Sequence, residues 1–182
     1  MMKLILMVCV ALISLEGMAQ KEKKAELKLK NALVIGQLNN PEERYTVEIN
    51  VTELLSSNGI KTLPSLNILK LGGDSQVLAT DSMVQLIKSK GIDTYLLVSV
   101  RGYDRKFKPS TIKDNFEKAV SVGSLFDLYR QDIVSVSFEF KFFRGGEYVF
   151  GDVIKCGNIS DRSTVIKRLR KKLIKRIPKK WK

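Results

Sequence analysis

A chain of 182 residues, 44% of them hydrophobic, is long enough to bury one core without disulfide staples. It contains no histidine, which excludes Ser-His-Asp and Cys-His catalysis and histidine-based zinc sites, because imidazole is the usual base near neutral pH and a leading zinc ligand. The formal charge of +13 is concentrated at one end: between Arg162 and Lys182, lysines and arginines follow one another with no acidic residue among them.

The first nineteen residues have the order of a secretory signal. Lys3 supplies a positive start, Leu4–Leu15 an apolar run, and Gly17-Met18-Ala19 the small residues that a signal peptidase reads, which makes Gln20 the expected mature N-terminus. The run falls short of the ~20 residues that cross a bilayer; an uncleaved anchor and a buried N-terminal helix are the alternatives. Cys9 lies in mid-run behind the bulky Met7-Val8, a poor context for lipidation. The expectation is an exported, non-lipidated protein, periplasmic or peripheral on the outer envelope. Cys156 is then the one thiol left, unable to form an internal bridge; it is either a buried small residue or a reactive group.

In chain order, 20–30 reads as a flexible basic lead-in and Asn31–Leu38 as a first strand. Asn39-Asn40-Pro41-Glu42-Glu43 opens a helix with a polar cap, proline in the first turn and acids at the positive end of the dipole. Val47, Val51, Leu54 and Leu55 keep helical spacing, and Gly59 ends it. Thr62–Leu71 reads as a second strand. Gly72-Gly73-Asp74-Ser75 reads as a turn; its likeness to the nucleophile block of GDSL-type esterases fails for want of a histidine base. Asp81-Ser82 caps a short helix, with Met83, Val84, Leu86 and Ile87 on or near its buried face, and Thr94–Arg101 is a third strand.

Two helix-Gly-Ile-polar-strand junctions, at Gly59-Ile60-Lys61 and Gly91-Ile92-Asp93, make a βαβαβ unit with right-handed crossovers the natural reading. Gly102–Pro109 is a basic loop with two aromatics, and a short helix is possible around Asn115–Val120. Val134, Val136, Phe138, Phe140 and Phe142 alternate with Ser135, Ser137, Glu139 and Lys141, which predicts a strand with one buried and one wet face. Gly145-Gly146 turns a hairpin and Tyr148–Lys155 returns. Ser160-Asp161 caps a last helix with an apolar stripe of Val165, Ile166, Leu169, Leu173 and Ile177; Pro178 ends it, and 178–182 is a basic tail.

The predicted fold is therefore α/β (α+β), a two-layer sandwich. A mixed five-stranded sheet in the order β-α-β-α-β-(loop or short helix)-β-β-α carries its helices mainly on one face, with the other open or partly covered by loops. The expected domains are a signal at 1–19, a lead-in at 20–30, one domain at 31–177 and a tail at 178–182.

On this order of elements, and on the helix-Gly-hydrophobic-Asp-strand segment Lys90-Gly91-Ile92-Asp93-Thr94-Tyr95-Leu96-Leu97-Val98, the chain resembles bacterial envelope domains of the anticodon-binding-like α/β fold. These are the TolB N-terminal domain, CsgG-type lipoproteins and lipoprotein activators of peptidoglycan synthases. The signal end Gly17-Met18-Ala19-Gln20 is similar to Bacteroidota signals. The resemblance covers pattern and order and no diagnostic motif, and this chain lacks the lipobox of many members. It implies an assembly, interaction or regulatory module rather than an enzyme.

The chemistry-bearing candidates are few. The last helix pairs an apolar stripe with a basic face, so Lys171, Lys172, Lys175, Arg176 and Trp181, with Tyr103, Arg105 and Phe107 from the basic loop, are the candidate contacts to an anionic envelope surface or a protein partner. The bland alternative is a stripe packed on the sheet beneath solvated lysines. Without export, Tyr103, Phe107 and Trp181 become stacking candidates for a nucleic acid. A histidine-free glycan hydrolase would draw its carboxylate pair from Glu139, Glu147 and Asp152. No phosphate loop, dinucleotide fingerprint or metal-ligand cluster is legible, and no cofactor is expected.

Overall fold

The computed structural model describes residues 27–69, 73–123 and 126–182. The expected signal and most of the lead-in lie outside these residues. Side-chain caps set the helix starts. Asn40 Oδ1 accepts from the amides of Glu42 (2.9 Å) and Glu43 (3.2 Å) and starts helix α1 (Pro41–Ser57), which ends before Gly59 at φ +77°. Asn115 caps a short helix α3 (Phe116–Ser121), and Asp161 caps α4 (Arg162–Arg176). Helix α2 (Asp81–Ser89) starts at Thr80, one residue before the expected cap, and the Thr80 side chain caps no first-turn amide.

The sheet comprises β1 (Asn31–Gln37), β2 (Lys61–Pro64), β3 (Thr94–Tyr103), β4 (Ser135–Arg144) and β5 (Glu147–Gly157), in the order β2-β1-β3-β4-β5. β1 is parallel to β2 and β3, whereas β3, β4 and β5 are antiparallel. This is the expected mixed five-stranded α+β sheet. β2 is shorter than its predicted Thr62–Leu71: after Pro64, which has no amide to give a ladder, the chain turns into a 3-10 segment at Ser65–Asn67.

Strand order explains a difference in layering. β1 lies between β2 and β3, so the first crossover moves one way along the sheet and the second returns past β1. With both right-handed, α1 and α2 fall on opposite faces. The two long helices, α1 and α4, cover one face, where Val47, Val51, Leu55, Val165, Leu169 and Leu173 meet Ala32, Val34, Leu96, Val98, Phe138, Phe140 and Phe142. The second face, expected open or loop-covered, carries α2 and α3: Ile87, Phe116, Ala119 and Val120 pack with Leu33, Ile35, Tyr95, Leu97 and Phe143. The predicted wet face of β4 is accordingly wrong, since Ser135, Ser137 and Glu139 are buried and Lys141 is half-buried.

Two further boundaries move. Leu27 and Leu29 are buried, the Leu29 amide donates to the Trp181 carbonyl (2.7 Å), and the Lys61 amide donates to the Lys30 carbonyl (3.1 Å). Residues 27–30 therefore belong to the packed domain and not to a flexible lead-in. At the other end, Ile177–Trp181 is a wider π turn rather than a tail, closed by the Lys182 amide on the Ile177 carbonyl (3.1 Å).

Close approach of α1 to the sheet is fixed at Gly36, where a Cβ would stand 3.1 Å from Arg44 Cγ. Glu48 is fully buried there. Its Oε1 accepts from the Gly36 amide (2.8 Å), Ser65 Oγ (2.7 Å) and Arg44 Nε (3.0 Å), and its Oε2 accepts from the Leu66 amide (3.2 Å). The Arg44 guanidinium is also held by Ser65 Oγ (2.9 Å) and the Gly73 carbonyl (2.8 Å). This buried pair is satisfied on both sides and joins helix, sheet and turn.

Candidate functional site: a cationic cleft along the edge strand

Helix α4 reaches the sheet through a stripe stepping by four residues. Val165, Leu169, Leu173 and Ile177 are fully buried, and so is Trp181 one step further on. The Trp181 ring packs 5.0 Å from Phe140 and 5.1 Å from Phe142, centroid to centroid, and its indole Nε1 donates to Asp152 Oδ2 (3.0 Å). Trp181 is thus a core residue, and its assignment as a surface contact is corrected: the ring has no face left for lipid, protein or base.

With its stripe inward, α4 turns Lys172, Lys175 and Arg176 toward β5, the long edge of the sheet. They line a cleft of about 520 Å³ together with Lys155 of β5, Lys179 and Lys180 of the π turn, and Lys106 of the loop after β3. Among the described residues, the rest of the lining is Phe107, Val153 and Ile154, and no acidic side chain belongs to it. Arg176 is fixed by Asp152, Nε to Oδ2 3.2 Å, which also takes the indole proton. One buried carboxylate therefore holds both the core tryptophan and a cation of the cleft. On the opposite wall, Phe107 stacks against Gly102; at φ +150°, any Cβ there would sit 2.6 Å from the ring. The Lys155 ammonium reaches the Asp104 carbonyl (3.3 Å), tying the loop to β5.

The cleft brings together Lys172, Lys175, Arg176 and Phe107 from the predicted set. Lys171 is exposed but outside the lining, as is Arg105. Tyr103 is half-buried against Phe126 (5.4 Å), donates its hydroxyl to the Asp127 carbonyl (2.7 Å) and has Arg130 5.1 Å over its ring. Tyr103, Phe107 and Trp181 form no common stacking platform. Sequence reasoning missed Lys106, Lys155, Lys179 and Lys180 as partners of the helix; only the positions of Lys179 and Lys180, three and four residues past Arg176, hinted at it.

The carboxylates of the hydrolase reading do not converge. Glu139 and Asp152 project from opposite faces, since Glu139 pairs with Val153 and Asp152 with Phe140, whose ring lies in the α1–α4 core. Glu147 is exposed at the hairpin. Asp74 caps a 3-10 turn through the Gln76 amide (2.9 Å), consistent with an ordinary turn at the Gly73-Asp74-Ser75 block. Cys156 is fully buried, and desolvation pushes its thiol up to about 12 despite the cations of Lys172 and Arg168. Of the two readings of this thiol, burial is the one observed.

No protein-family model and no curated protein matches this sequence. Among solved structures, the chain is similar to lipoprotein GNA1162 from Neisseria meningitidis, with 14% identity, a TM-score of 0.44, and 81% of this chain and 97% of that chain covered. It is also similar to PelC from Paraburkholderia phytofirmans, solved as a dodecamer, with 13% identity, a TM-score of 0.41, and coverage of 82% and 88%. Likeness at this level says nothing about what this chain binds. Among the described residues, no helix is long and apolar enough to cross a membrane.

Proposed function

We propose that the protein is an exported, non-enzymatic module of the bacterial envelope that docks phosphate-bearing anionic lipid through the cleft between α4, β5 and the loop after β3. One observation carries this reading: the cleft wall is built from cations of three separate chain segments, with no acidic side chain among the described residues of its lining and an apolar floor of Phe107, Val153 and Ile154. Lysines on a single exposed helix face are ordinary solvation. Cations gathered from a helix, an edge strand and a loop around one concavity match a polyanion that bears apolar groups. Each basic residue near an anionic leaflet contributes ~1 kcal/mol, so a cluster of this size yields firm, salt-sensitive attachment without a lipid anchor.

Lysines on an edge strand also prevent sheets from pairing edge to edge. Docking and edge protection separate in one experiment: co-sedimentation of the purified protein with vesicles of phosphatidylglycerol and phosphatidylcholine against phosphatidylcholine alone, across a salt series. The expected outcome is binding to the anionic vesicles only, released by salt and lost in Lys172→Glu/Lys175→Glu. Equal partition onto both vesicles, or no binding at low salt, would overturn the reading. Cell fractionation with intact mass tests export: a mature chain beginning at Gln20 supports it, and a full-length cytoplasmic chain defeats it.

A further inference from the structure

The second face of the sheet changes character along its length. Towards one end it is apolar, with Leu33, Ile35, Tyr95 and Leu97. Beyond them, the same-face positions at the carboxyl ends of β1 and β3 are Gln37, Ser99 and Arg101, and Glu139 and Lys141 stand beside them on β4. These side chains line a cavity of about 230 Å³, roofed by the segment from Ser110 and by the end of α3, and sharing no residue with the cationic cleft.

Three features mark this cavity as a site. It lies where the strand order reverses around β1, the position at which open α/β sheets leave a crevice for ligands. Arg101 is the extra residue of a β-bulge, since Val100 pairs with Phe138 and Gly102 with Ser137; a bulge of this kind re-aims a side chain out of the ladder. Glu139 is 97% buried yet incompletely engaged: Oε1 accepts from the Ser110 amide (2.6 Å), while Oε2 is 3.7 Å from Arg101 Nη1 and 4.0 Å from Lys141 Nζ, beyond hydrogen-bond range. A buried carboxylate with two cations held just off it is a preformed dipolar pocket. Asp114, also in the lining, is taken by Lys118 at 2.8 Å.

We infer that this cavity binds a compact α-amino or α-hydroxy acid, with the ligand carboxylate on Arg101 and Lys141 and its amine or hydroxyl donating to Glu139. The volume lies below the ~300–1,000 Å³ of sites for drug-sized ligands, which favours a molecule of this size. A carboxylate and an adjacent donor complement two cations and one acid a few ångströms apart.

The test is amide chemical-shift mapping on protein from expression of the full chain, titrated with a panel of L- and D-amino acids and the matching hydroxy acids. At least one member should shift the amides of Gln37, Ser99, Arg101, Glu139 and Lys141 saturably. Arg101→Gln, at a partly exposed position that leaves the core intact, should weaken it about tenfold or more, and Lys172→Gln/Lys175→Gln should leave it unchanged. Preference between amine and hydroxyl identifies the donor. The inference is overturned if no member shifts these amides at the highest soluble concentration, if binding is unaltered in both Arg101→Gln and Glu139→Gln, or if the shifts fall on Lys172 and Lys175 instead.

Discussion

At Cys156, desolvation holds the thiol in its neutral form, and the thiolate is the species that attacks disulfides and electrophiles. Native protein is therefore expected to resist a disulfide reagent at neutral pH and to react stoichiometrically once unfolded, a contrast readable by mass spectrometry. At Asp161, hydrogen bonds from Ser163 Oγ, the Thr164 amide, Ser160 Oγ and Thr164 Oγ1 hold the carboxyl well below its ordinary range. A carboxyl depressed in the folded state stabilises above its unfolded pKa of about 3.9 and loses that contribution as pH falls through the folded value. Asp161→Ala should accordingly be less stable than wild type at neutral pH, with the gap narrowing only below about pH 4; denaturant titrations at several pH values would show it. For Glu48, Glu48→Gln leaves the Arg44 guanidinium without its buried counter-charge and should cost about 3–5 kcal/mol. The double change Arg44→Met/Glu48→Leu should cost less than the single one. A double-mutant cycle on urea midpoints measures both.

At the scale of elements, regular periodicity was readable and coverage was not. The caps at Asn40 and Asp161, the α4 stripe and the Phe138-Phe140-Phe142 alternation all lie in local sequence and match the structure. Whether Ser135, Ser137 and Glu139 face water depends on what covers them, which follows from the strand order β2-β1-β3, a long-range fact. The Arg44–Glu48 pair, four residues apart on α1, is buried for the same long-range reason: Gly36 and Ser65 close over it. Of the cleft, the helix cations and Phe107 were legible, while Lys155 became a partner only through pairing of β5 at the sheet edge. Trp181 was hidden behind Pro178, although it falls four residues after Ile177 and continues the stripe. The wider turn lets the chain pass the proline and return its ring to the core. Trp181→Ala should cost about 3–5 kcal/mol. As the only tryptophan, Trp181 also supplies the readout in wild type, its emission moving to the red on unfolding at the same denaturant concentration as the loss of helix.

Across the whole molecule, the proposed docking gives the +13 charge opposite effects on stability and on binding. Lys172, Lys175, Arg176, Lys179 and Lys180 share one concavity, and among the described residues only Arg176 has an acid, Asp152, against it there. Their mutual repulsion opposes the packing of α4 and the π turn on the sheet, a cost inherent in gathering like charges. Salt relieves it, because the Debye length falls from about 10 Å at 0.1 M to about 3 Å at 1 M. Rising chloride should therefore raise the melting temperature while it releases the protein from anionic vesicles. Neutralising the cleft with Lys172→Gln/Lys175→Gln/Lys179→Gln should raise the low-salt melting temperature and flatten its salt dependence, as well as abolish vesicle binding. Thermal unfolding of both proteins across one salt series makes the comparison. An unchanged salt slope in the triple variant would place the repulsion elsewhere on the surface and remove the energetic argument that these cations are held together for a ligand.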